Sequence, residues 1–244
     1  MRQTTIFWTV GALVLALSKL AFAAEPALQQ AQLTVLCEKR SDTHCDESFA
    51  GSTKWSTERL PVGADQKQQV ALRADVEIPS RGVTMKWLMY PNDDKTWPAS
   101  HVVEIRLGLP SELLVADPIA AVFAANSALG VGDSLGTVSK TIDDRSFIVG
   151  LQPTAGRNLK LIQAHCWIVV SVIHGFVHPR LDISMEKGKA GARAFADAFA
   201  AWGDTYSESS CVLSFVPPTE RQAPDYRIVT EARADIVDGV LGKR

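Results

Sequence analysis

From Val70 to Ile78 the chain keeps a strict two-residue rhythm. Val70, Leu72, Ala74, Val76 and Ile78 alternate with Ala71, Arg73, Asp75 and Glu77. Only an extended strand sends successive side chains to opposite faces, so this run carries one apolar face and one charged face. The segment "PSRG" (79–82) then breaks the run, and its Pro and Gly are turn signals. The rhythm resumes at Val83, Met85, Trp87 and Met89. Two such runs joined by a short turn predict a β-hairpin with one face buried.

The same logic extends along the chain. Leu33, Val35 and Cys37 share one face of an early strand, and Thr53 to Leu60, around Trp55, forms another. In "HVVEIRLGL" (101–109), Val103, Ile105, Leu107 and Leu109 point one way, and Glu104 and Arg106 the other. Phe147, Val149 and Leu151 alternate, as do Leu181, Ile183 and Met185. Trp167 to Ile173 is apolar on both faces, the pattern of a central strand. Ile119 to Ala125 fits a strand or a helix equally. One amphipathic helix is predicted in "KAGARAFADAFAAWG", where Phe195, Phe199 and Trp202 fall at i, i+4 and i+7 and Gly203 supplies a stop. "GRNLKLIQAH" (156–165) predicts a second, shorter helix. Many short strands and one late helix predict a mainly β fold. The layout is sandwich- or barrel-like, with antiparallel sheets and a C-terminal amphipathic helix packed on the core.

The ends are different in character. Arg2, the apolar run Ile6–Leu17 and the sequence Ala21-Phe22-Ala23 fit a secretory signal peptide cleaved after residue 23. The run is too short for a membrane span, which needs about 20 apolar residues, so no transmembrane anchor is expected after cleavage. A β-rich domain is expected over 24–203. Past Gly203 the chain turns polar and Pro-rich, and 204–244 reads as a peripheral extension with a helix near Ile228–Leu241.

Composition narrows the partners. The formal charge of −2 becomes −4 once Arg2 and Lys19 leave with the signal, and no basic cluster marks a nucleic-acid surface. The expected location is periplasmic or secreted. There the four cysteines, Cys37, Cys45, Cys166 and Cys211, predict two disulfides. Three connectivities are possible; Cys37–Cys45 with Cys166–Cys211 is preferred, because the first closes the short polar loop "CEKRSDTHC".

The tempting catalytic motifs lack their context. "GVGDSLG" (130–136) contains Gly-Asp-Ser-Leu, which in the GDSL hydrolases opens the active site with serine as nucleophile. Ser134 would need a histidine to take its proton and a further group to orient that histidine. No histidine here has an Asp three residues before it, and the motif sits mid-chain. A zinc site could draw on His165, His174 and His178, since imidazole is a common zinc ligand. However, His165 lies at one end of the Trp167–Ile173 strand and the other two at its far end. Asp93-Asp94 and Asp143-Asp144 are adjacent pairs that point apart, and "PNDDKTWP" and "IDDRS" read as turns in which Asn and Asp bond their own backbone. His101 shares a face with Val103 and Ile105 and is expected to point inward, onto a backbone carbonyl. The sequence thus assigns no catalytic residue, no metal ligand and no cofactor.

Several landmarks together resemble an uncharacterised domain of exported or envelope proteins in bacteria. They are "ALRADVEIP" (71–79), "NDDKTWPASHVVEI" (92–105), "FIVGL" (147–151), "RNLKLI" (157–162) and "MEKGKAGARAFADAFAAWG" (185–203). The resemblance implies an autonomous module ending at the aromatic helix, without an assigned reaction or cofactor. His165, Cys166, His174, His178 and the Gly-Asp-Ser-Leu run are not part of that pattern. The functional expectation is a non-catalytic exported module that binds or assembles with another envelope component, its partner an unknown protein or ligand. The alternatives are a serine hydrolase using Ser134 and a metal-binding protein using the three histidines.

Overall fold

The computed structural model describes residues 31–207 apart from 40–43, 63–65, 114–117, 131, 155 and 175–176. The expected signal peptide, Cys211 and the helix near Ile228–Leu241 lie outside the described residues. The strands are β1 (Gln32–Lys39), β2 (Glu47–Val62), β3 (Lys67–Ile78), β4 (Val83–Pro91), β5 (His101–Gly108), β6 (Pro118–Ala125), β7 (Asp133–Ser134), β8 (Thr137–Thr141), β9 (Ser146–Leu151), β10 (Trp167–His174) and β11 (Val177–Glu186). Two helices, α1 (Arg157–Ala164) and α2 (Gly188–Trp202), interrupt and follow them.

The 11 strands among the described residues join one antiparallel sheet in the order β7-β6-β10-β11-β1-β2-β3-β4-β5-β9-β8, which curls into a half-barrel. Of the two layouts expected, this is the barrel-like one. The first and last strands of the ladder, β7 and β8, are separated in sequence only by Leu135 and Gly136. One segment therefore touches both ends of the sheet. It is held to β6 by Leu135 N–H donating to the Val122 carbonyl at 3.3 Å and by the Thr141 hydroxyl donating to the Pro118 carbonyl at 2.7 Å.

The predicted hairpin is β3–β4, with Leu72 opposite Met89 and Ile78 opposite Val83 across a turn at Pro79–Arg81. Strand β2 starts well before the expected Thr53. Its first half, "ESFAGS", shows no alternation and is drawn into the sheet by pairing with β1 from Glu47 to Thr53. The ambiguous run 119–125 is strand: β6 pairs residue for residue with β10, from Pro118–His174 to Ala125–Trp167. Ladder bonds and burial override the helix preference of its alanines.

The concave face is filled. Trp55 and Trp87 meet edge to face at 5.8 Å, and Phe195 of α2 lies 5.1 Å from Trp55. Burying such rings is the largest apolar contribution available to a core. Phe195 and Phe199 are fully buried and Trp202 half-buried, its indole N–H donating to the Val70 carbonyl at 2.7 Å, so the expected stripe is the docking face. The helix ends at Gly203 in the left-handed region (φ 83°), with Asp204 N–H returning to the Phe199 carbonyl. Tyr206 then folds back to 5.5 Å from Phe199, so the residues just past Gly203 still pack on the core.

Helix α1 is pinned at both ends. Near its start the buried Asn158 side chain accepts from Gly136 N–H and donates to the carbonyls of Gly136 and Gln152. Near its end Lys187, fully buried, donates to the Ile162 carbonyl at 2.6 Å. A cation at a helix C-terminus suits the macrodipole, yet burial pushes the Lys187 pKa down to about 7.

Candidate functional site

The outer face of an antiparallel half-barrel is expected to be polar at alternate residues. On β2–β5 and β9 it is not. Leu60, Ala71, Leu88, Tyr90, Val102 and Ile148 all point outward and pack together as a satellite cluster away from the main core. Cross-strand register makes this contiguous: Tyr90 sits opposite Val102, and Ala71 and Tyr90 are each one residue beyond the Leu72–Met89 pair.

The loop 92–100 closes one end of the cluster. The Asn92 side chain donates to the carbonyls of Asp94, Trp97 and Ala99, and Asp94 accepts from Thr96, so this segment is the self-bonded turn expected from its composition. It lays Trp97 against β9 at Gly150. A Cβ at residue 150 would lie 2.8 Å from the Trp97 ring and 2.9 Å from Ala99, so the close approach needs glycine.

Beside the cluster lies a groove of about 390 Å³, walled by Leu60, Pro61, Leu88 and Tyr90 and rimmed by Lys86, Glu104 and Arg106. Lys86 and Arg106 face each other directly across β4–β5. Lys86 reaches Glu58 at 3.3 Å, and Glu58 also binds Arg73, which forms a fork on Asp75 at 2.7 Å. These carboxylates hold the Arg73 guanidinium well above its ordinary pKa, through its bonds to Asp75 first and Glu58 second. The Tyr90 hydroxyl donates to Glu104 at 2.5 Å. Burial first, and the Glu104 carboxylate second, push that phenol well above its ordinary value. Arg106 is exposed, and among the described residues no carboxylate lies within 4.0 Å of it.

The residues singled out in the sequence do not assemble elsewhere. Ser134 is exposed on β7, its hydroxyl donating to its neighbour's carbonyl, Leu135, at 3.3 Å. Its other neighbour, Asp133, bonds His165 Nε2 at 2.8 Å, while His165 Nδ1 faces the Leu161 carbonyl at 2.9 Å. A neutral imidazole has one donor and one acceptor nitrogen. Both ring nitrogens are engaged, by Asp133 and the Leu161 carbonyl, and the Ser134 hydroxyl bonds the Leu135 carbonyl instead of either. Asp133 and Ser134, adjacent on a strand, also point to opposite sides. The arrangement clasps β7 to the end of α1. His165 lies two residues before β10 and His174 is its last residue, and nine steps of largely extended chain place them up to about 30 Å apart. They cannot share one ion; the His174 and His178 side chains are outside what is described. No group of three His, Cys, Asp or Glu side chains suited to a metal occurs among the described residues.

No family model, curated protein or solved structure matches the chain. The site must be read from its own geometry.

The cysteines follow the preferred pairing as far as it is described. Cys37 on β1 is bonded to Cys45, with Cα atoms 5.7 Å apart, closing the polar loop over the strand end. The expected Cys166–Cys211 pair involves Cys211, outside the described residues. His101 points inward as expected, but not onto a carbonyl. Nδ1 lies 3.2 Å from the Ser100 hydroxyl, the ring packs 5.1 Å from Trp202, and the buried Nε2 has no partner among the described residues. Burial pushes its pKa down to about 4, with Asp204 opposing weakly, so it is neutral at pH 7. Elsewhere on the outer face, on β11, the buried Asp182 takes bonds from Lys39, Arg180 and Ser171. Burial pushes its pKa up, and these bonds more than reverse it. That cluster is saturated.

The groove was missed from sequence for a definite reason. The alternation of Val83–Met89 fixes which residues of β4 face the core, but Leu88 and Tyr90 look like ordinary outer positions until register sets them beside Ala71 and Leu60. Among the described residues no helix is long and apolar enough to cross a membrane.

Proposed function

We propose that this chain is an exported, non-catalytic β-rich module that binds another component of the cell envelope through the outer groove on β2–β5. One observation carries the reading: a groove of about 390 Å³ on the outer face, backed by a buried apolar cluster and rimmed by Lys86, Glu104 and Arg106. Ala71, Leu88, Tyr90 and Val102 are themselves buried, so what a partner meets is the concavity, with Leu60 and Pro61 on its wall and a few convergent polar groups at its rim, the usual form of a binding site. The concave face, by contrast, is occupied by α2 and the two tryptophans. The leader-like first 23 residues and the Cys37–Cys45 disulfide agree with a periplasmic or secreted location. The hydrolase and metal readings draw less support, because His165 is engaged at both nitrogens and stands up to about 30 Å of largely extended chain from His174.

The test is site-specific photocrosslinking in cells expressing the full chain, with a photoreactive residue at Leu60, Pro61 or Lys86 and controls at Lys140 and Arg193. One crosslinked species formed from the groove positions and absent from the controls is the expected result. Equal crosslinking from the controls, or none from the groove in a correctly folded periplasmic pool, would overturn the reading.

A further inference from the structure

We infer that the groove recognises an acidic side chain of a partner polypeptide, presented between apolar residues, with Arg106 and Lys86 as its receptors. The inference rests on the binding reading above and gives its partner a chemistry.

Like charges directly opposite on adjacent strands repel, and Lys86 and Arg106 are such a pair. Lys86 shares Glu58 with Arg73, so that carboxylate is already divided between two cations. Arg106 has no carboxylate within 4.0 Å among the described residues. The one acid lining the groove, Glu104, accepts the Tyr90 hydroxyl. The lining thus holds two cations to one anion, and its most exposed cation is a guanidinium, whose planar fork matches a carboxylate. Leu60 and Pro61 beside it offer apolar contact to the residues flanking that carboxylate.

A single carboxylate fits better than an anionic membrane. The wider strip sets Arg73, Lys86 and Arg106 against Glu58, Asp75, Glu104 and the Asp143 carboxylate that acts on Arg106 through space, so an extended negative surface gains no net attraction. The chain as a whole is also acidic, at −2. A single peptide carboxylate can seat on the Arg106 fork, with Glu58 already engaged by Arg73 and Lys86 and Glu104 by the Tyr90 hydroxyl.

The experiment is selection of a displayed random decapeptide library on the folded protein and, in parallel, on Arg106→Glu. Arg106→Gln serves as a second variant, and circular dichroism confirms folding of each. Selected peptides carrying Asp or Glu next to Leu, Ile, Val or Phe are expected. A synthetic copy of the best should bind at least tenfold more weakly to Arg106→Glu, and more weakly when the acid is replaced by its amide. Peptides selected without an acid, or bound equally by both variants, would overturn the inference. So would sedimentation with phosphatidylglycerol vesicles in place of peptide binding, or a self-dimer abolished by Arg106→Glu. Groove crosslinking to a partner without any acid preference would sink this inference alone. Absence of both crosslinking and peptide binding would sink the binding reading too.

Discussion

Gly150→Ala tests how the wall of the groove is built. Gly150 lies on β9 opposite Val102, beneath the Trp97 indole. An added Cβ would sit 2.8 Å from the ring and 2.9 Å from the Ala99 methyl, where relaxed carbon contacts lie at about 3.5–4.0 Å. The indole cannot simply retreat. The Trp97 and Ala99 carbonyls are held by Asn92, and Ala99 N–H returns to the Trp97 carbonyl at 2.8 Å. Overpacking of this kind costs about 1–3 kcal/mol, and the rigid loop places the expected loss near 2 kcal/mol. In a Trp97→Ala background the ring is gone and only the Ala99 contact remains, so the same change should cost less than half as much. Urea unfolding of the four proteins, followed by circular dichroism, gives the coupling energy directly. A coupling of about 1 kcal/mol or more is expected. Additivity within about 0.3–0.5 kcal/mol, or a neutral Gly150→Ala, would refute the seating of Trp97 on the outer face.

Other outcomes follow from buried groups and the disulfide. His101 is held neutral with a pKa of about 4 against the ordinary 6.5, so the unfolded chain binds the proton first and stability falls as pH drops from 6.5 toward 4. Between pH 7 and 5 that contributes a loss of about 2 kcal/mol, and His101→Leu should remove it in denaturant titrations at the two pH values. Lys187 gives up its proton near pH 7 when folded but near 10.5 when unfolded, so wild-type stability should rise between those values. Lys187→Met should flatten that rise in urea midpoints taken at pH 7, 8.5 and 9.5. Breaking the Cys37–Cys45 bond, by Cys37→Ser, should lower stability by about 2.6 kcal/mol on the chain-entropy model, measured by thermal or urea unfolding.

Local patterns in this chain carried more of the fold than of the site. The hairpin β3–β4, the central strand β10 and the aromatic helix α2 were legible because each buries one face at a period set by its own backbone. Strand β2 was only half legible: "ESFAGS" has no alternation, and its partner β1 supplies the order. The run 119–125 could not be settled locally, since alanine suits a helix and only pairing to β10 decides it. The closure at 133–141 depends on contacts between the two ends of the sheet. His101 could be read as inward-facing but not as unpartnered, because Trp202 and Ser100 approach it from distant or backbone-determined positions. The groove lay furthest from sight. It is made by register among β2, β3, β4 and β5, and each of its residues is unremarkable alone.

The claim that function resides in this outer groove is tested most directly by amide hydrogen exchange of the full chain, with and without the partner captured by crosslinking. Slower exchange confined to residues 58–61, 86–90 and 104–106 is the predicted result. Protection instead at 133–142 or 161–167, around Ser134 and His165, with the groove unchanged, would contradict it.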